Sequence, residues 1–97
     1  MYFEWSEEKN TWLKRVRAIS FEAVQTAIQD GGLLDVHSHP NQEKYPRQVR
    51  LVVLIDTYVY LVPCVPKEGE QDVWFLKTII PSRKATKKYV TSDNTKP

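Results

Sequence analysis

The chain has 97 residues, 41% hydrophobic and 27% charged, a balance that excludes a disordered chain and matches the size of one domain. Its net charge of +2 is unevenly laid out: residues 83–97 hold five cations (Arg83, Lys84, Lys87, Lys88, Lys96) and one acid (Asp93), a local +4 that leaves −2 for residues 1–82. A single cysteine, Cys64, excludes an internal disulfide framework and, set among valines and prolines, reads as a small core residue.

The N-terminus, "MYFEWSEEKN", has no basic region followed by an apolar one, so it is not a signal peptide. No apolar run approaches the ~20 residues of a membrane span. A soluble cytoplasmic protein is expected. "YFEW" suits a short first strand. Ser6 followed by Glu7 and Glu8 is an N-cap with acids in the first turn, and Trp12, Leu13 and Val16 form one face of a helix ending near Arg17. Ser20 caps a second helix whose apolar positions are Phe21, Val24, Ala27 and Ile28, and Asp30-Gly31-Gly32 stops it. Joined by so few residues, the two helices are expected to pack as a hairpin.

"LLDVHSHPNQEKYP" reads as a strand fragment running into a polar loop. "RQVRLVVLI" and "YVYLVPCV", separated by Asp56-Thr57, read as an antiparallel hairpin. "VWFLKTII" is a third strong strand, ended by Pro81, and Ser82 caps a last helix over 83–90. The order predicts an α+β fold, one domain over 1–90 with a polar tail at 91–97.

On the last helix, 83/87 and 84/88 are i,i+4 pairs and 84/87 an i,i+3 pair, so the four cations are expected to share one broad stripe. Like charges so placed repel, and a ligand of dense negative charge converts that cost into binding. A solvated helix whose cations suit its dipole is the plain alternative. In the strands, Val49, Leu51, Val53 and Ile55 face one way and Gln48, Arg50, Val52 and Leu54 the other; Trp74, Leu76, Thr78 and Ile80 are expected to share a face opposite Val73, Phe75, Lys77 and Ile79. Arg50 and Lys77 interrupt apolar strands and extend the positive surface, or simply snorkel at a sheet rim. Tyr58, Tyr60 and Phe75 offer stacking platforms for unpaired bases. In "DVHSH", Asp35, His37 and His39 alternate as metal ligands would, but Pro40 ends the strand at once and no fourth ligand is evident, so no metal site is expected. Either histidine suits general acid–base chemistry.

The front of the chain carries Phe3-Glu4-Trp5, Lys9, Leu13 and Ser20-Phe21-Glu22-Ala23; the back carries "FLKTIIPSRKATKKY", with Ser82 to Thr86 turning into the basic helix. Over roughly residues 2–90 this resembles the BrnT-type toxins of bacterial type II toxin–antitoxin modules, ribonucleases of the RelE-like superfamily. Arg17-Ala18 stands where that family has His-Gly, Tyr89 stands where its last helix has an acid, and residues 33–46 match poorly. The resemblance implies a RelE-like fold: an N-terminal helix hairpin on a three- to four-stranded antiparallel sheet, with a short C-terminal basic helix. It implies an endoribonuclease that inhibits translation and growth without metal or cofactor. Its partners would be RNA and a ribbon-helix-helix antitoxin, with operator DNA reached only through that antitoxin. For the RNA chemistry we expect Arg83 as phosphate clamp, Lys84 or Lys77 in proton transfer or anion stabilisation, Arg50 as a second phosphate contact, and Tyr89 in stacking or hydroxyl donation. Lys87, Lys88, Tyr58 and Tyr60 would hold RNA, and His37 and His39 are candidate acids or bases. A non-catalytic nucleic-acid-binding or regulatory module would use the same cations without turnover, and a protein-interaction domain would dock them on an acidic partner.

Overall fold

The computed structural model describes residues 1–91. It is α+β: β1 (Tyr2–Glu4), α1 (Glu7–Arg17), α2 (Phe21–Gln29), β2 (Leu33–Ser38), β3 (Val49–Ile55), β4 (Tyr58–Pro66), β5 (Val73–Leu76), β6 (Ile80–Pro81) and α3 (Arg83–Thr86), which runs on as a π-helical turn over Lys87–Thr91. Of the expected polar tail only Thr91 is included, closing that turn; residues 92–97 lie outside the described residues. No helix among the described residues is long and apolar enough to cross a membrane.

Both helix starts follow from their caps. The Ser6 hydroxyl accepts the Lys9 amide at 3.1 Å and the Ser20 hydroxyl accepts the Ala23 amide at 3.1 Å. Leu13, Phe21 and Val24 are fully buried, and Trp5 stacks on Phe21 at 5.5 Å. Val16 departs from expectation: it is 55% exposed, and Asn10 takes a buried place on α1 instead. The Asn10 side chain accepts the Phe21 amide at 2.9 Å and donates to Glu22 Oε1 at 2.8 Å. It thus satisfies one of the open amides at the head of α2 and ties the two helices together. The same bond is the first cause holding the Glu22 carboxyl below its usual range.

α1 ends on Ala18 in the left-handed region, φ +54°. That conformation costs a residue with a Cβ about 1–2 kcal/mol and glycine almost nothing. Ala18→Gly is therefore expected to raise stability by about 1 kcal/mol, part of the relief being lost to the freer unfolded chain, seen as a higher urea midpoint with an unchanged slope.

The strand order is β1-β5-β4-β3-β2, with β6 also on β4. This corrects the expected three- to four-stranded antiparallel sheet: β1 pairs with β5 in parallel, Phe3 opposite Trp74, and the sheet is mixed. β3 and β4 form the anticipated hairpin, Ile55 opposite Tyr58, with Asp56 at φ +57° in the two-residue loop. Leu51, Val53, Val62, Cys64 and Leu76 of the sheet, and Ile79 between β5 and β6, join Leu13, Phe21 and Val24 of the helices in one fully buried core. Burial pushes the Cys64 thiol up to about 12, so it stays protonated and unreactive, as a packing residue should.

The third strand is broken, not continuous, and the cause lies in its neighbour. Pro63 occupies the central strand β4, and its carbonyl accepts the Lys77 amide at 2.8 Å. Proline has no N–H to return the second bond of that pair. The ladder therefore lapses after Leu76 and resumes at Ile80, and three steps along β4, from Cys64 to Leu61, are matched by four on the partner. This one-residue bulge shifts the phase, so that Leu76 and Ile79 both point into the core, correcting the simple alternation expected for 73–80. The Ile79 carbonyl released from the ladder accepts the Arg17 guanidinium at 2.7 Å.

Beyond the bulge the chain crosses to the other sheet face. Ser82 caps α3, its hydroxyl accepting the Ala85 amide at 3.0 Å. The helix is fixed to β4 by a closed set of bonds: Ser82 N–H to Val59 O (3.0 Å), Val59 N–H to Thr86 Oγ1 (2.9 Å), and Thr86 Oγ1–H to Ser82 O (2.8 Å). Thr86 is only 9% exposed, so it sets which side of the helix faces the sheet.

Candidate phosphate-binding cleft

The sheet face opposite α1 and α2 carries Arg50 and Val52 of β3, with their cross-strand partners His37 and Asp35 on β2 and Pro63 and Leu61 on β4. With α3 docked above it, this face forms a cleft of about 330 Å³ lined by His37, Arg50, Val52, Leu61, Ser82, Lys84, Ala85, Lys88 and Tyr89. That volume is at the small end of the range for ligand clefts. A larger depression, about 560 Å³, runs along α1, but it mixes Glu8 with Lys9 and Arg15, and its Trp12 ring is already covered by the Lys9 ammonium at 4.3 Å.

Two strands and one helix thus contribute cations and a histidine to one place. The guanidinium of Arg50 is the most telling. Its Nε is buried and meets no acceptor, whereas buried polar groups are nearly always bonded. Neither Arg50 nor Lys84 pairs with a carboxylate among the described residues. Arg50 also lines the cleft, and an oxyanion is the kind of acceptor this donor lacks.

A carboxylate stands at the edge. Asp35 Oδ1 accepts the Val36 amide at 2.8 Å; Asp35 Oδ2 meets His37 Nε2 at 2.9 Å and accepts the Tyr89 hydroxyl at 3.0 Å. Those bonds, that of His37 first, hold the Asp35 carboxyl below its usual range; loss of water contact and the Asp35 charge hold the Tyr89 phenol above its own. The signs agree. The lowered carboxyl contributes stability above the unfolded value near 3.9 and loses it as pH falls through the folded one; the raised phenol contributes below about 10 and loses it as pH rises through the folded one. The Tyr89–Asp35 bond should therefore hold across the whole range between. The Tyr89 ring carbon signal is expected to titrate above its value in urea, and Asp35→Asn should bring it down.

The other anticipated residues are placed as follows. Lys84 and Lys88 line the cleft, but Arg83 and Lys87 do not, because Thr86 rather than a cation faces the sheet. Half of the expected cationic stripe therefore lines the cleft. Lys77 is not among the cleft-lining residues, and its ammonium donates to Gln48 Oε1 at 3.3 Å. Tyr58 and Tyr60 are on the far face: Tyr60 packs against the core, with Tyr58 edge-on to it at 5.6 Å. His39 belongs to the following loop, its Nδ1 accepting the Asn41 amide at 2.9 Å and its ring against Tyr45 at 4.2 Å. No group of three or more His, Cys, Asp or Glu among the described residues is placed to hold a metal ion. Sequence reasoning weighed Asp35 only as a metal ligand and missed its part in this cluster. The available signal was its spacing from His37, two residues apart on a strand beside one that carries Arg50.

No protein-family model matches the chain, and no curated protein or solved structure matches it either.

Proposed function

We propose that this chain is the toxin of a type II toxin–antitoxin module, a metal-independent endoribonuclease of RelE-like fold that acts in the cleft between β2–β4 and α3. The observation that carries the reading is the buried Arg50 Nε without an acceptor, set in a cleft that Lys84 and Lys88 also line. Two further features support it. α1 and α2, tied through Asn10, fit a helix pair over one sheet face, and the basic α3 fits the other. RNA brings its own nucleophile. As the 2′-oxygen bonds to phosphorus, the P–O5′ bond breaks, leaving a 2′,3′-cyclic phosphate and a 5′-hydroxyl, and the 2′ proton is replaced by one on the 5′-oxygen. The protein needs only to place the phosphodiester, stabilise the added negative charge and move protons, which Arg50, Lys84 and His37 can do.

The test is single-stranded RNA in EDTA. The wild-type chain should cut it, Lys84→Ala should lose about 10²-fold or more, and Arg83→Ala, outside the cleft, should stay within a few-fold. RNA retained but uncut, with binding that falls steeply with salt, would favour a non-catalytic binder instead.

A ribbon-helix-helix antitoxin is the partner in this reading, with operator DNA reached only through it. The sheet edge β2 offers a place for its neutralising segment: among the described residues β2 pairs only with β3, and Leu34 and Val36 are 36% and 48% exposed. Expression should arrest growth, and co-expression of the neighbouring gene's product should restore it.

A further inference from the structure

We propose that Asp35 is a positioning residue for His37, and that His37 Nδ1, so oriented, is the nitrogen that takes the ribose 2′-hydroxyl proton in the cleft. This rests on the ribonuclease reading above.

The geometry is specific. On β2, Asp35 and His37 lie on the same face at the two-residue spacing of a strand, and His37 is directly across from Arg50. An ionised carboxylate only accepts hydrogen bonds. Since Asp35 Oδ2 lies 2.9 Å from His37 Nε2, that nitrogen must carry a proton, and in the neutral ring Nδ1 is then the acceptor. The carboxylate is itself held from two further sides, by the Val36 amide on Oδ1 and by Tyr89, 54 residues along the chain, on Oδ2. A surface ion pair with no other task has little need of three donors, because exposed pairs add little stability. The groups around the imidazole are Asp35 on its own strand, Arg50 on β3, and Lys84, Lys88 and Tyr89 on the last helix.

The step balances without a co-reactant. Nδ1 takes the 2′-hydroxyl proton as the O2′–P bond forms. The P–O5′ bond breaks, and the departing 5′-oxygen takes a proton from the Lys84 ammonium on the cleft wall. Water then carries the imidazolium proton back to Lys84.

Asp35→Asn makes a sharp test, because the Val36 amide dictates how the new side chain sits. That amide must keep an oxygen in front of it, so the NH₂ group replaces Oδ2 and faces His37. Nε2 then has to accept, and the proton moves to Nδ1. Long-range ¹H–¹⁵N spectra of the ring at neutral pH should show Nε2–H in the wild type and Nδ1–H in Asp35→Asn. kcat should fall about 10²-fold or more, with KM changed less than about threefold. Asp35→Asn with His37→Ala should lose no more than His37→Ala alone. A wild-type ring protonated on Nδ1, or full kcat in Asp35→Asn despite a switched tautomer, would overturn the assignment. A wild-type chain that leaves RNA intact in EDTA defeats the ribonuclease reading and this role with it. Cutting that survives both Asp35→Asn and His37→Ala defeats this proposal alone.

Discussion

Replacing Arg50 by methionine is expected to move activity and stability in opposite directions. RNA cleavage should fall about 10²–10³-fold, the usual loss when one donor to a developing oxyanion is removed. The fold should not suffer. Methionine keeps an unbranched apolar stem beside Val52 and Pro63 while deleting a buried Nε that has no acceptor. An unsatisfied buried donor costs about 1–3 kcal/mol, so its removal should leave the protein level or stabilised by about 1 kcal/mol, a shift of roughly 4–8 °C in Tm. A residue kept against the interest of stability is the mark of a functional position. Calorimetry beside the RNA assay checks both halves. A Tm lowered by many degrees would make Arg50 a scaffold residue and remove the main support for the cleft.

The second large effect is expected at Gly32, where α2 meets the sheet. Its N–H donates to Ala27 O at 2.7 Å and its carbonyl accepts the Leu54 amide at 2.8 Å, so backbone from helix and strand closes on it from two sides. A Cβ there would lie 2.7 Å from Leu54 O and 2.8 Å from Ala27 O. Neither neighbour is a side-chain tip that can swing away. Gly32→Ala should therefore cost about 3 kcal/mol, the upper end of the overpacking range, out of a total of 5–15 kcal/mol for a domain. Gly31 is the control. It sits at φ +89° with nothing within 4 Å of a would-be Cβ, so Gly31→Ala carries only conformational strain, about 1–2 kcal/mol. Urea denaturation of the two variants should rank them in that order; equal losses would mean that contact at Gly32 is not what matters.

Signals that act locally were readable in the sequence. Ser6 and Ser20 start their helices, Asp30-Gly31-Gly32 ends the second, Asp56-Thr57 turns the hairpin and Ser82 caps the last helix, because a cap or a tight turn is decided within a few residues. What failed was non-local. Pro63 sits in one strand but breaks another, so the run at 73–80 looks uninterrupted when read alone. The parallel pairing of β1 with β5 joins residues some 70 apart, and no short pattern announces it. Asn10 and Thr86 look like surface residues and are buried, each because it satisfies a backbone amide that the fold leaves open.

The same division holds for the cleft. Arg50 announced itself as a charge inside an apolar strand. That Lys84 and Lys88 line the cleft while Arg83 and Lys87 do not was not announced, since it depends on Thr86 being the residue that anchors the helix. The motifs at the front and back of the chain read in the same terms. Trp5, Leu13, Ser20, Phe21, Ser82 and Thr86 all pack, cap or anchor, so those motifs encode the scaffold that shapes the cleft more than the chemistry within it.

One consequence follows from the order in which the cleft is assembled. His37 and Arg50 leave the ribosome long before Lys84, Lys88 and Tyr89 do, and chains grow at about 5–20 residues per second. A polypeptide that has not passed residue 89 has neither the roof of the cleft nor the bond that closes it on Asp35. Synthesis order alone therefore makes the cleft the last feature of the molecule to be completed.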